Sequence, residues 1–335
     1  MGLALALGER HLGRTAPNPS VGCVIVKDGI VVGRGWTQPG GRPHAEMEAL
    51  ARAGAAAAGA TAYVTLEPCS NWGKTPPCCK GLIEAGIARV VIGCLDPDPR
   101  VDGKGIAWLR EAGLEVVVGV RETEALAQNL GLYRRIRDQR PMVGVKLALS
   151  LDGRIATRTG ESQWVTGEAA RAFGHRLRAT HDAIMVGSGT ALADDPELSC
   201  RLPGLEDRSP VRVVMDRRGR LPETSRLVAT AAELPLVHVT AADGETSLEA
   251  VLTRLAERGI TRLLVEGGPR LATSFVRAGL VDRLYLFCAG CLIGGDGAAG
   301  VESLGVERLA EAPRWRLVTT RLLGADRLSV LKPET

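Results

Sequence analysis

The segment EPCSNWGKTPPCCKG, residues 67–81, places three cysteines in a loop rich in proline and glycine. The buried strand pattern ATAYVTL precedes the loop, and the short helix pattern CKGLIEAG follows it. Upstream, residues 43–50 read PHAEMEAL and begin a helix that is predicted to extend to about Ala58. Histidine, cysteine and glutamate side chains therefore fall together at strand ends and helix starts, a joint pattern that rarely arises by chance.

Composition narrows the class of protein. The chain has 335 residues, enough for two domains with separate cores, and 42 Lys and Arg nearly balance 38 Asp and Glu. The balanced charge and an aromatic content of only 3% argue against nucleic-acid and membrane partners. No signal peptide or membrane span is recognisable, so we expect a cytoplasmic protein. Its 8 cysteines are too sparse for a disulfide scaffold and are expected to be thiols or metal ligands.

Strand and helix patterns alternate along both halves of the chain, which predicts two α/β domains with sheets covered by helices. The charged stretch ETEALAQNLGLYRRIRDQRP is predicted to be one helix that Pro141 ends, and we place the domain boundary there. The predicted domains are residues 1–140 and 141–335.

His44, Cys69 and Cys78 are the candidate metal ligands. One histidine and two cysteines leave the fourth position of a tetrahedral zinc ion for water, which is typical of a catalytic site. The position of Cys78 at a helix start also predicts a lowered thiol pKa. Glu46 is the candidate general acid/base, although helical periodicity alone favours Glu48, four residues after His44.

The remaining cysteines are expected to be structural. Cys79 is assigned to packing because adjacent residues seldom both reach one tetrahedral metal. Five further cysteines are predicted to be core thiols: Cys23, Cys94, Cys200, Cys288 and Cys291.

The H-x-E…P-C pattern resembles the zinc-dependent cytidine-type deaminases. The long loop between the two cysteines and the upstream TAPNPSVGCVIV are similar to the deaminase of riboflavin biosynthesis, which is commonly fused to a reductase. The resemblance covers nearly the whole chain, through PNPSVG, HAE, VTLEPCS, GKTPPC and DPDP, then KLALSLDGRIAT, GESQWVT, ADDPELSCR and VEGGP. It departs at Asn71, where the family usually has histidine. It implies a cytidine-deaminase-like three-layer domain followed by a dihydrofolate-reductase-like domain.

Residues of the second half alone give weak signals. There is no G-x-G-x-x-G, but LLVEGGPRLATSF is a strand, a glycine pair and a helix start that could approach phosphate. VVMDRRG ends a strand with Asp216, Arg217 and Arg218, which could grip a ribose and its 2′-phosphate or could be a solvated basic turn.

The resemblance supplies further site residues. It places Asn18 against the base in the deaminase, and it puts Lys146 and Asp152 on a strand that lines the reductase cleft. Ala148, Trp164, Thr190, Asp194 and the segment from Gly268 would contact NADPH. Arg217, which the strand-end pattern and not the resemblance suggests, would bind its 2′-phosphate. The substrate would be held by Ser162, Arg178, Leu198, Arg201 and Glu266.

These observations favour a bifunctional enzyme of riboflavin biosynthesis that uses zinc and NADPH on a small phosphorylated pyrimidine. It would deaminate a diaminopyrimidinone ribosylamine 5′-phosphate and then reduce the ribosyl chain, and we expect a homo-oligomer. One alternative is a nucleoside or base deaminase with an appended domain of other function. A second is a non-catalytic, zinc-stabilised binding module.

Overall fold

The computed structural model describes residues 1–334, which form two compact units. The first unit comprises Met1–Pro141 and Ala256–Thr261, and the second comprises the remainder from Met142 onward. No helix among residues 1–334 combines the length and the apolar character that crossing a membrane requires.

The first unit is built on a five-stranded sheet in the order β2-β1-β3-β4-β5. Its strands are β1 (Gly22–Lys27), β2 (Ile30–Trp36), β3 (Thr61–Leu66), β4 (Arg89–Cys94) and β5 (Glu115–Val118). Its helices are α1 (Gly2–Gly8), α2 (Ala45–Ala53), α3 (Cys78–Glu84), α4 (Lys104–Glu111), α5 (Glu122–Gln128) and α6 (Leu130–Asp138). β1 pairs antiparallel with β2 and β3, whereas β3, β4 and β5 are parallel.

Two glycines let α2 pack closely on β2. A Cβ atom at Gly35 would lie 2.0 Å from the carbonyl oxygen of Ala45, and one at Gly33 would lie 2.3 Å from that of Ala49. Any side chain at these positions would push the helix away from the sheet. This close packing fixes the first turn of α2, where His44 and Glu46 are placed.

The second unit is built on an eight-stranded sheet in the order β10-β9-β8-β11-β6-β12-β15-β14. Its strands are β6 (Met142–Leu149), β7 (Arg154–Ala156), β8 (Ala183–Gly187), β9 (Val211–Met215), β10 (Leu236–Val239), β11 (Arg262–Val265), β12 (Arg283–Cys288), β13 (Ala298–Ala299), β14 (Trp315–Leu323) and β15 (Asp326–Pro333). Its helices are α7 (Glu168–Ala179), α8 (Ser188–Asp194), α9 (Arg226–Ala229), α10 (Leu248–Glu257) and α11 (Pro269–Arg277). β7 and β13 form a separate two-stranded sheet.

The strands from β10 to β12 in this order are parallel to their neighbours, and the β14–β15 hairpin adds two antiparallel strands. Parallel strands end at the same edge of a sheet, so the loops that follow β8, β9, β10 and β11 lie side by side.

Several local predictions were wrong or incomplete. The helix predicted to extend to about Ala58 ends at Ala53. The charged stretch after Arg121 forms two helices, α5 and α6, because the chain leaves helical geometry at Asn129. The helix α8 and the hairpin of β14 and β15 were not predicted. The hairpin strands mix arginines with apolar residues, and β14 is mostly exposed, so no clean alternation marks them.

Candidate active sites

The first site is a cluster of one histidine and two cysteines. His44 is the N-cap residue of α2, Cys69 follows β3, and Cys78 is the first residue of α3. Nδ1 of His44 lies 3.3 Å from Sγ of Cys78 and 3.7 Å from Sγ of Cys69. The donor atoms of all three lie within 4.8 Å of one another. Both sulfurs face the same imidazole nitrogen, so the three side chains fit one tetrahedral zinc ion.

The two sulfurs of this cluster differ electrostatically. The backbone N–H of Cys78 donates to Sγ of Cys69 at 3.2 Å. A hydrogen bond from the Cys78 thiol lowers the pKa of Cys69 to about 4, and sharing that proton raises the pKa of Cys78 above its ordinary range. The helix start predicted the lowered pKa at Cys78, and that prediction was wrong because Cys69 receives the hydrogen bonds.

Glu46 lies in the first turn of α2, is 4% exposed and lines the same cavity as His44. Burial raises the pKa of Glu46 to about 7, close to the value that suits a group both accepting and donating protons. Oε2 of Glu48 instead lies 2.8 Å from Nη2 of Arg52. Of the two glutamates that the sequence left open, only Glu46 is among the residues that line the cavity.

A cavity of about 500 Å³ adjoins the cluster, and all of its lining residues lie between Pro17 and Ile136. It brings together the predicted residues Asn18, His44, Glu46 and Cys69. Nδ2 of Asn18 donates to the carbonyl oxygen of Gly41 at 2.9 Å, which fixes the amide and leaves its oxygen for a ligand. Asn71, the position that departs from the family pattern, also lines this cavity.

Several cavity residues were not predicted as site residues: Thr37, Arg42, Glu67, Trp72, Lys74, Asp96, Asp98, Arg100 and Arg135. Glu67 could have been found, because it precedes the Pro-Cys pair of the motif. Its carboxylate is 3% exposed and accepts backbone N–H groups of Gly103 at 3.1 Å and Gly105 at 3.0 Å. Glu67 therefore anchors the loop that leads into α4 beside the cavity.

The other cysteines follow the structural assignment with one exception. Sγ of Cys79 lies 3.3 Å from the carbonyl oxygen of Pro68, and burial raises the pKa of this thiol. Cys23, Cys94 and Cys200 are buried and Cys288 is half-buried. Cys291 is exposed, so its prediction as a core thiol was wrong. It lies in the loop after β12, beyond the strand pattern on which the prediction rested.

The second site is a cavity of about 390 Å³ whose lining residues lie between Lys146 and Phe287. Nε and Nη2 of Arg178 donate to Oε1 and Oε2 of Glu266 at 2.8 and 3.0 Å, and Nη1 donates to the carbonyl oxygen of Ser199 at 3.0 Å. Nζ of Lys146 lies 3.8 Å from Oε2 of Glu266. Burial by itself would raise the pKa of Glu266, but Arg178 and Lys146 outweigh it and hold the pKa at about 2. Glu266 is thus an ionised, buried partner of two cations.

The structure brings together about half of the residues predicted for the reductase. Those that line the cavity are Lys146, Trp164, Arg178, Asp194, Leu198, Arg201 and Glu266. Leu198 is buried with a positive φ of 61°, and this backbone conformation precedes the Ser199 carbonyl that faces Arg178. The guanidinium of Arg201 has no hydrogen-bond partner within residues 1–334, so it is available to an anion.

The other predicted reductase residues lie outside the cavity lining. The backbone N–H of Gly268, the N-cap residue of α11, donates to Oγ1 of Thr190 at 3.0 Å, which joins helix α8 to the loop after β11. Arg217 is exposed in the loop after β9. Ser162 is exposed before Trp164, and Ala148 is half-buried on β6.

Two acidic residues have different roles from those predicted. Asp152 lies in a turn beyond the end of β6, where it accepts backbone N–H groups of Ile293 at 3.1 Å and Gly294 at 2.7 Å. It is a loop anchor and does not lie on the strand that lines the cleft. Asp216 is fully buried, so it cannot grip a ribose directly.

Helical periodicity could have extended the prediction on α7. Arg171, Gly174 and His175 line the cavity together with Arg178, and they lie seven, four and three residues before it. Residues at these spacings share one face of a helix. Nδ1 of His175 lies 3.2 Å from the backbone N–H of Arg201, so the same face also fixes the Arg201 loop.

Comparison with known proteins places these sites in one family. Residues 1–94 match the family model of the cytidine and deoxycytidylate deaminase zinc-binding region, and residues 141–328 match that of the RibD C-terminal domain. The riboflavin biosynthesis protein RibD of Escherichia coli is 42% identical, and the alignment covers 97% of this chain and 96% of that protein. RibD of Aquifex aeolicus is 40% identical over 97% of this chain and 95% of its own length.

Two solved structures show the same architecture over the whole chain. Acinetobacter baumannii RibD superimposes with a TM-score of 0.90 at 38% identity, covering 100% of this chain and 98% of that one. A Thermotoga maritima diaminohydroxyphosphoribosylaminopyrimidine deaminase/5-amino-6-(5-phosphoribosylamino)uracil reductase gives a TM-score of 0.90 at 35% identity, covering 100% and 97%.

The chain belongs to the RibD family. As a RibD protein it is a bifunctional deaminase and reductase of riboflavin biosynthesis. The predicted combination of a cytidine-deaminase-like domain with a dihydrofolate-reductase-like domain is confirmed. Zinc serves the first chemistry and NADPH the second, as predicted. A phosphorylated pyrimidine is the substrate class that suits the RibD reactions.

Proposed function

We propose that residues 1–140 hydrolyse the 2-amino group of 2,5-diamino-6-ribosylamino-4(3H)-pyrimidinone 5′-phosphate and that residues 141–335 then reduce its ribosyl side chain. In the first step the bond between ring carbon C2 and its exocyclic amino nitrogen breaks, a C–O bond forms from water at the same carbon, and ammonia leaves. In the second, NADPH would supply a hydride to the sugar carbon that bears the amine, the C–O bond that closes the sugar ring would break, and the released oxygen would take a proton, which gives 5-amino-6-ribitylaminouracil 5′-phosphate. The observation that carries the proposal is the convergence of His44, Cys69 and Cys78 beside a cavity that Glu46 lines.

His44, Cys69 and Cys78 would hold the zinc ion, whose Lewis acidity makes a water molecule nucleophilic near neutral pH. Glu46 would move protons at its carboxyl oxygens, taking one during attack and giving one to the departing amine. It suits this role because it is buried beside the ligands and is not one of them. Asn18, held by Gly41, would orient the pyrimidine.

In the reductase cavity, we assign the substrate phosphate to Arg201 rather than to Arg178 alone. Arg178 already donates three hydrogen bonds to Glu266 and Ser199, whereas the Arg201 guanidinium has no hydrogen-bond partner within residues 1–334. Charge-assisted forks of this kind are strong and directional. Glu266 would position Arg178, and Leu198 and Ser162 would complete the substrate contacts.

The nicotinamide cofactor would follow the carboxyl edge of the large sheet. Trp164 and Asp194 line the cavity where the hydride must be delivered, and Ala148 lies on the neighbouring strand β6. Thr190 of α8 is hydrogen-bonded at that edge to Gly268, the N-cap residue of α11, where backbone N–H groups favour phosphate oxygens. Arg217 lies in the next loop and would contact the 2′-phosphate.

The same proposal includes a cytoplasmic homo-oligomer that binds neither nucleic acid nor membrane. The edge strand β14 supports self-association, because Leu317, Val318 and Leu322 are 57%, 51% and 80% exposed there. Exposed apolar residues on a sheet edge favour pairing with another copy. Sedimentation equilibrium would measure the assembly, and a monomer at micromolar concentration would contradict this part.

Separate assays of the two reactions test the proposal. Ammonia release from the diaminopyrimidinone substrate and NADPH oxidation on the deaminated intermediate should both be measurable with the full chain. Among residues 1–334, the structure places a cluster of metal-binding side chains only at His44, Cys69 and Cys78. Chelation of zinc should therefore abolish ammonia release and leave NADPH oxidation unchanged. Loss of both activities on chelation, or of neither, would contradict the assignment.

A further inference from the structure

Asp216 is one of the buried carboxylates of the reductase domain. Asp216 follows β9 and is 0% exposed. Its Oδ2 accepts the backbone N–H of Leu221 at 2.8 Å and lies 3.1 Å from Nε2 of His238, on the adjacent strand β10. Its Oδ1 has no hydrogen-bond partner among residues 1–334, and Nε of Arg220 lies 3.9 Å from it. Asp216 thus stands between an imidazole and a guanidinium.

Positive charge dominates the surface above this carboxylate. Arg217, Arg218 and Arg220 are exposed in the loop after β9, and the side chain of His238 is 31% exposed. Asp216 itself is covered, so the exposed side chains of this loop include three arginines and one carboxylate, that of Glu223. Burying an ionised carboxylate costs free energy unless nearby cations and hydrogen-bond donors compensate for the lost hydration. Such a positively charged surface attracts anions and can donate charge-assisted hydrogen bonds to them.

The location agrees with one end of the cofactor path. Nη2 of Arg220 donates to Oγ of Ser188 at 2.8 Å, at the start of α8. Two residues further along, Thr190 joins the loop of Gly268. The Arg220 loop is therefore next to the proposed phosphate-binding segments. In the sheet, β9 lies beside β8, and β8 and β11 separate it from the cavity strand β6. The β9 loop therefore lies where the adenosine end of a dinucleotide can reach when its nicotinamide occupies the cavity.

We propose that His238 and Arg220, both positioned by Asp216, bind the 2′-phosphate of NADPH together with Arg217. This inference rests on the proposed function and deepens its cofactor site. His238 points one nitrogen at Asp216, so its other nitrogen, Nδ1, is the one that can serve the phosphate. Arg220 keeps donors beyond those directed at Ser188 and Asp216. Asp216 acts as a positioning residue and does not touch the ligand.

Equilibrium binding to the full chain tests this without turnover. Calorimetric titration with adenosine 2′,5′-bisphosphate and with adenosine 5′-monophosphate separates the 2′-phosphate from the rest of the adenosine end. Arg220→Ala and His238→Ala should each weaken binding of the bisphosphate about tenfold or more, and leave the monophosphate unchanged. Arg220→Lys should recover part of the loss. NADP⁺ and NAD⁺ should show the same contrast.

Arg316→Ala is a matched control, since Arg316 lies on β14 at the opposite edge of the same sheet. It removes one positive charge and should change neither affinity. Equal weakening of both nucleotides in the Arg220 and His238 variants would mean a structural role and overturn the inference, as would unchanged binding of the bisphosphate. Loss of all discrimination in Arg217→Ala, with none in the other two, would assign the phosphate to Arg217 alone. If His238→Ala does not fold, Arg220→Ala and Arg220→Lys still test the inference, because Arg220 is exposed. Failure of the proposed function is distinguishable, because wild-type protein would then not oxidise NADPH.

Discussion

Arg178 and Glu266 form a two-pronged ion pair inside the reductase domain, with N–O distances of 2.8 and 3.0 Å. The side chains are only 16% and 8% exposed, so water screens the pair weakly. Nζ of Lys146 also lies 3.8 Å from the Glu266 carboxylate, so Glu266 neutralises two cations at the wall of the cavity. Its charge therefore contributes to the stability of the domain and orients Arg178.

Glu266→Gln should destabilise the reductase domain by about 3 to 5 kcal/mol, because it leaves buried cations without their counter-charge. Urea denaturation measures the effect, and reductase activity should fall with it. Glu302→Gln is the control, since its pair with Arg270 is exposed and 3.9 Å long. That variant should change stability by less than about 1 kcal/mol. Equal effects of the two substitutions would contradict the role assigned to Glu266.

The Glu266 ion pair also predicts a dependence of stability on pH. The pKa of Glu266 is held at about 2, below its ordinary value of 4.5, so its stabilising charge is fully present above pH 4.5 and is lost as the pH falls toward 2. The difference in unfolding free energy between wild type and Glu266→Gln should be constant from pH 5 to 7. Below pH 4.5 it should shrink by about 1.4 kcal/mol per pH unit. A difference that grew on acidification would be inconsistent with this pair.

Glu46→Gln should retain zinc and lose deamination by about 10²- to 10⁴-fold, because the carboxyl group moves protons and does not ligate the metal. Zinc content by atomic absorption and ammonia release measure the two properties separately. Glu48→Gln provides the control, as Glu48 pairs with Arg52, and it should keep both. Loss of zinc in Glu46→Gln would show that Glu46 is a ligand.

Cys78→Ser should empty the metal site, whereas Cys79→Ser should leave zinc content and deamination near normal. The Cys78 sulfur lies 3.3 Å from Nδ1 of His44, while the Cys79 sulfur lies against the carbonyl oxygen of Pro68. A serine hydroxyl can still donate to that carbonyl, so the Cys79 variant keeps its local contact. The opposite result would move the ligand by one residue along α3.

Sequence was most informative where a motif and a regular element coincide. His44, Cys69 and Cys78 were predicted as neighbours because strand ends and helix starts carry them, and the structure brings their donor atoms together. Glu46 was found in the same way, whereas Asn18 was supplied by the family resemblance, and both line one cavity with His44 and Cys69. Periodicity alone would have selected Glu48, because it describes one helix face and takes no account of what packs against the first turn.

Long-range partners were beyond the sequence. The sequence around Asp216 gives no sign that His238 is its partner on the adjacent parallel strand. The register between β9 and β10 is fixed only in the folded sheet. Asp152 was misplaced for a related reason: its carboxylate holds backbone groups at Ile293 and Gly294, far along the chain. The pairing of Arg178 with Glu266 likewise joins α7 to the end of β11.

Each cavity draws its lining from one continuous half of the chain, Pro17 to Ile136 for the first and Lys146 to Phe287 for the second. A genetic consequence follows. Two alleles, one inactivated at Glu46 and the other at Arg201, should complement each other when they are expressed together in a riboflavin auxotroph. Neither mutant polypeptide damages the other half's chemistry, and the deaminated intermediate made by one can be consumed by the other.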